Sequence, residues 1–219
     1  MQGAVTVQGS HRRAAFSVFM VILTTVAAVS FTSHPATADD YGYSNLDGHG
    51  PIPLPDSQDH WFCFASVPEA SHRNIIRGSM SFLDDTTNMS DVESSSCGAS
   101  TDIWFRTQDL RPGELGLTSC QSWTYWSVCD RSIVYLENDA FISTGAACDS
   151  GADVIELNYV HTVRHEIGHT VGLHHVAPFK SICSGIAGSD AMSSDWVNTN
   201  WLWVTYSQHH VNHINCVCG

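Results

Sequence analysis

The sequence predicts an α+β domain, and three observations carry that reading. Short β-type runs bounded by polar or Gly/Pro turn signals fill the chain between Trp61 and Leu136. Beyond Gly151 the apolar residues switch to helical spacing, with Val160, Val163, Ile167 and Val171 three and four apart. A second helical stretch, residues 206–214, closes the chain. Strands segregated from helices in this way indicate a sheet with helices packed on it.

Residues 1–38 read as a leader. His11, Arg12 and Arg13 form a basic head, an apolar run extends from Ala14 to Phe31, and Ala36-Thr37-Ala38 has the small-x-small form cut by signal peptidase. Such a run also reaches the lower limit for a membrane span, but Pro35 and the cut site directly after it favour removal. No other segment is apolar enough to cross a bilayer. The expectation is a secreted, extracellular protein with no stable membrane association, whose residues 39–219 suffice for one domain with its own core. Losing Arg12 and Arg13 takes nine basic residues to seven against 22 acidic ones, so the net charge moves from −13 to −15. That surplus argues against nucleic-acid partners and anionic membranes, which need basic clusters. It leaves room for Ca2+, although no EF-hand spacing is present.

All eight cysteines (Cys63, Cys97, Cys120, Cys129, Cys148, Cys183, Cys216 and Cys218) follow the cleavage site. An even number in an exported chain reads as a set of disulfides. Cys120 and Cys129 are the one pair whose spacing suggests a short closed loop. Cys216 and Cys218 are expected in two separate disulfides, not on a metal.

Residues 39–59, rich in Gly, Pro and Asp, read as an extended segment, with the folded domain at 60–219. Strands are expected at 61–67, 75–83, 102–107, 115–119 and 132–136, and a Ser-rich loop at 90–101. The helix after Gly151 buries its valine–isoleucine stripe. At about 100° per residue it carries His165 and His169 on the opposite side. Gly172 ends it, since glycine readily takes the left-handed conformation there.

The segment from His165 to His175 reads H-E-x-x-H-x-x-G-x-x-H. His165 and His169, one turn apart, can point ring nitrogens at one ion. Gly172 lets the chain turn so that His175 reaches the same ion. Three imidazoles leave a fourth position open, the arrangement of a catalytic Zn2+ rather than a structural one. Glu166 stands beside a ligand on a different azimuth and is the candidate general base. At this chain's own residue frequencies, a chance match is on the order of one in ten thousand.

On these residues the sequence resembles the metzincin clan of zinc endopeptidases, whose pattern adds a methionine-bearing turn downstream of the third histidine. Met192, seventeen residues after His175 and the sole Met beyond it, is identified with that Met-turn. Within the clan the chain looks most similar to small bacterial matrixin-like peptidases, over roughly residues 74–215. Residues 102–105 (DIWF) resemble one of their strands, 115–119 their substrate-binding edge strand, 133–138 the next strand, 161–175 their active-site helix and 206–215 their closing helix. The resemblance implies a zincin-like catalytic domain with a twisted mixed sheet. It also implies a secreted, monomeric metalloendopeptidase acting on protein or peptide substrates.

The departures are specific. No cysteine-switch propeptide precedes the domain. His209 and His210 stand where an acidic residue usually opens the matrixin closing helix, so the pattern does not say what supports the Met-turn. Ser194 replaces the tyrosine of astacins. A thermolysin-type site needs a downstream Glu ligand, and no Glu follows Glu166. His209, His210 and His213 could form a second metal site by helical spacing, but with no acidic neighbour in sequence they read as surface or structural histidines. His174 reads as facing solvent or supporting a ligand. A zinc-containing binding or adhesion module without turnover shares the three histidines, but has no need of Glu166.

Overall fold

The computed structural model describes residues 54–125, 127–138, 152–175, 190–193 and 204–217. The leader, most of the extended segment, Cys148, Cys183, Ser194 and Cys218 lie outside them. Six strands make one mostly parallel sheet: β1 (Leu54–Pro55), β2 (Asp59–Ser66), β3 (Ser90–Glu93), β4 (Ile103–Gln108), β5 (Gly116–Tyr125) and β6 (Val128–Glu137). The order is β1-β6-β4-β2-β3, and β5 pairs with β6 as well. Every pairing is parallel except β5 with β6, which form an antiparallel hairpin. Among the described residues, paired structure begins at Leu54, ahead of His60.

Three helices join this sheet among the described residues: α1 (Ala70–Thr86), α2 (Ala152–Thr170) and α3 (Gln208–Val217). The strand expected at 75–83 is a correction, because those residues lie inside α1. Ile75, Ile76, Met80, Phe82 and Leu83 suit a strand by composition. The buried set, however, is His72, Ile76, Ser79, Met80 and Leu83, which recurs with helical spacing. Topology explains the outcome: β2 and β3 are parallel neighbours, so the chain must cross back between them, and a helix does this while satisfying its own backbone. Thr87 closes α1, its backbone N–H and its hydroxyl both donating to the Leu83 carbonyl at 2.9 and 2.7 Å. Arg77 then anchors the exposed face of α1 through a two-pronged contact with Glu93 of β3, at 2.7 and 2.9 Å.

The loop expected at 90–101 is corrected in its first part, since residues 90–93 form β3. Cys97 in the remainder is bonded to Cys63 of β2. The Cys120–Cys129 disulfide suggested by spacing is present and staples the β5–β6 hairpin. Cys216 is exposed and bonded to no cysteine among the described residues, while Cys148, Cys183 and Cys218 lie outside them.

One face of the sheet carries the core. Phe62, Ile103, Phe105, Val134 and Leu136 meet Ile76, Met80 and Leu83 of α1, Tyr159, Val163 and Ile167 of α2, and Val171 directly after it. Three members of the expected stripe, Val163, Ile167 and Val171, thus pack inward, while Val160 is half-buried against the smaller cluster of Leu157 and Val204. The opposite side of α2 is not open, however: His165 and His169 are each only 8 % exposed. No helix among the described residues is long and apolar enough to cross a membrane.

Candidate metal centre and catalytic site

Helix α2 ends in a way that builds the centre. Gly172 has φ 88°, which a residue with a Cβ rarely adopts. The Leu173 N–H donates to the Gly168 carbonyl at 3.0 Å and the Gly172 N–H to the His169 carbonyl at 3.3 Å, the paired bonds of a Schellman cap. This turn aims the Leu173 carbonyl back at His169, whose Nδ1 lies 2.7 Å from it. It also returns His175 to the helix, with its Nε2 3.0 Å from His169 Nε2.

His165 Nε2 lies 3.2 Å from His169 Nε2, so three ring nitrogens converge. One ligand atom from each of the three residues falls within 4.8 Å of the others, and this is the only group of three or more such side chains among the described residues. The tautomers follow from the surroundings. His165 Nδ1 faces the Ala191 carbonyl at 2.9 Å, as His169 Nδ1 faces that of Leu173. A carbonyl only accepts, so each Nδ1 carries the hydrogen and each Nε2 keeps its lone pair. Burial, together with the neighbouring imidazoles of His169, His161 and His175, holds His165 well below the usual histidine range and therefore neutral. Converging lone pairs repel unless a cation lies among them, so this donor set fits a transition-metal ion.

Glu166 points away from the triad's backbone contacts and toward β5. Thr118 Oγ1 lies 2.8 Å from Glu166 Oε2 and 2.9 Å from the Glu166 carbonyl. Gly116 passes so close that a Cβ there would sit 2.5 Å from Glu166 Cγ. Burial pushes the Glu166 carboxyl up to about 7, with the Thr118 hydroxyl pulling it down and Glu114 adding to the rise.

No family model matches this chain, and no curated protein matches it either.

The Met192 turn lies against α2. Asp190, which sequence reading passed over, organises it: its Oδ1 accepts the Met192 N–H at 2.9 Å and its Oδ2 the Ser207 N–H at 3.1 Å. His210 Nδ1 approaches Asp190 Oδ2 at 2.6 Å, with both side chains buried. Burial alone would raise the Asp190 carboxyl, but His210 and the two backbone N–H groups outweigh it and hold it below the usual carboxylate range. His210 is thus structural, one of the two alternatives expected for it, and not a surface residue. Its acidic partner is distant in sequence and adjacent in space, on the turn and not on the helix. His209 and His213 pack ring against ring, with centroids 4.3 Å apart, and join no three-residue ligand group. His174 is 2 % exposed, which removes the solvent-facing alternative expected for it. The residues missed, Gly116, Thr118, Asp190 and His210, act through long-range contacts. The single local hint was an acid two positions before Met192.

Proposed function

We propose that this chain is a secreted zinc-dependent endopeptidase with a zincin-like, metzincin-type catalytic domain, its metal held by His165, His169 and His175. The observation that carries the reading is the convergence of the Nε2 atoms of His165, His169 and His175, with Glu166 next to His165 in the chain and its buried carboxyl held by the Thr118 hydroxyl. Tetrahedral zinc with Zn–N of about 2.0–2.1 Å separates its nitrogens by about 3.3 Å, close to the 3.0 and 3.2 Å found between neighbouring rings. The antiparallel strand β5 beside Glu166, the Met192 turn and the closing helix α3 support the same reading. The Cys63–Cys97 and Cys120–Cys129 disulfides suit an oxidising compartment.

When bound, zinc polarises the scissile carbonyl and lowers the pKa of water. Glu166 takes a proton from the attacking water and passes it to the departing amine. A carboxyl whose affinity for protons is raised by burial suits both steps. Thr118 holds Glu166 Oε2 and so fixes the orientation of the carboxyl. Among the described residues β5 pairs with β6 alone. Its other edge has main-chain groups that can pair with an extended polypeptide substrate.

The test is metal content together with chelator-sensitive cleavage of an unfolded protein. The oxidised chain should contain one zinc and cut the substrate until chelated. Glu166→Ala should retain the zinc and lose about 100-fold or more in turnover. Equal cleavage by that variant would remove Glu166 as the base. Stoichiometric zinc without any cleavage would favour a binding module.

A further inference from the structure

We propose that Asp190 and His210 are positioning residues for the metal ligand His165, acting through the backbone of the Met192 turn. The inference rests on the reading of His165, His169 and His175 as ligands. It concerns a contact between two elements that carry no ligand themselves.

The chain of contacts is short. His165 is oriented by its Nδ1–H donating to the Ala191 carbonyl at 2.9 Å. Ala191 sits between Asp190 and Met192, and its own N–H donates to the Thr205 carbonyl at 2.9 Å. The Ser193 N–H donates back to the Asp190 carbonyl at 3.1 Å, so the turn is closed on itself. Within it, the Asp190 carboxylate spans three groups: the Met192 N–H inside the turn, the Ser207 N–H just before α3, and His210 Nδ1 in its first turn. At 2.6 Å His210 Nδ1 and Asp190 Oδ2 are in close polar contact, in which the ring nitrogen is the group able to carry a hydrogen. The side chains are 2 % and 5 % exposed, and water has little access to replace either partner.

Removing the His210 donor leaves a buried carboxylate with one partner fewer, and the carboxylate is what holds the Met192 N–H. The Ala191 carbonyl lies between the two ends of that link. A shift there changes the orientation and basicity of His165, the usual effect of the groups that orient a metal-bound histidine. Asp190 and His210 therefore bear on metal affinity without touching the metal.

Zinc affinity, measured on the full oxidised chain by competition with a chromophoric chelator, separates this role from general stabilisation. It is read at a temperature where circular dichroism shows each variant folded. His210→Phe, of similar volume but without the donor, is expected to bind zinc roughly 10- to 100-fold more weakly. His210→Asn, whose amide places an N–H near the position of Nδ1, should restore affinity to within about threefold of the parent by the same logic. The cobalt(II)-loaded Phe variant should show altered visible absorption bands, which a loss of stability alone would not move. If His210→Phe fails to fold, Asp190→Asn poses the same question, with weakened zinc binding expected from Asp190→Asn and not from His210→Asn. A parent that binds no zinc overturns this proposal together with the ligand assignment. A parent that binds zinc, with folded Phe or Asp190→Asn variants of equal affinity, overturns this proposal alone.

Discussion

The sulphur of Met192 fills the space that a side chain on Gly168 would need: a Cβ at Gly168 would lie 2.3 Å from Met192 Sδ and 3.3 Å from Tyr206 Cε1. Gly168 is one of the two variable positions between Glu166 and His169. The local pattern leaves it open, and the turn beneath it does not.

Gly168→Ala tests that contact, because two effects oppose each other. Helix propensity favours alanine by about 1 kcal/mol. Overpacking against the thioether costs about 1–3 kcal/mol. The clash should win, lowering the melting temperature. In the double variant Gly168→Ala/Met192→Ala the penalty from the clash should vanish. A thermal melt of the single variant above that of the parent would show that Met192 moves aside freely.

Thr118→Val keeps the shape of the side chain and removes the hydroxyl that contacts Glu166. A hydrogen bond to a charged group contributes about 1.5–3 kcal/mol, so kcat/KM should fall roughly ten- to hundredfold while bound zinc is unchanged. Steady-state kinetics with metal analysis on the same preparation reads both. Loss of metal in parallel with activity would mean that Thr118 supports the triad, not the base.

Stability should decline in mild acid partly because of His60. It is buried at the start of β2, with Nε2 3.4 Å from the Thr170 hydroxyl, and burial lowers it from 6.5 to about 4. A histidine lowered in the folded state binds its proton first in the unfolded one. Above pH 6.5 it therefore has no effect on stability. As pH falls from 6.5 through 4 it destabilises the fold, by up to roughly 3 kcal/mol. Denaturant unfolding of metal-free protein across that range should show a shallower acid decline in His60→Gln than in the parent. Parallel curves would mean that His60 is already charged or solvated in the native state.

The cluster of His165, His169 and His175 was legible in the sequence because its geometry is local. His165 and His169 are one helical turn apart, and Gly172 needs only its own φ to bring His175 back. Glu166 and the valine–isoleucine stripe follow from the same helical period, and the Cys120–Cys129 pair spans a single hairpin. Tertiary structure decided what local patterns leave ambiguous. Residues 75–83 have strand-like composition, yet two parallel neighbours require a crossover helix. The imidazole side of α2 looks open by periodicity, yet the Met192 turn and β5 cover it. The pairing of Asp190 with His210 carries no local signal beyond an acid two positions before Met192, because a buried acid is tolerable only where its partners are assembled from separate parts of the chain. The sequence by itself thus determined which residues could hold a metal and which carboxylate stands beside it. Only the fold decided what orients them, since those contacts join residues that come together after the core has packed.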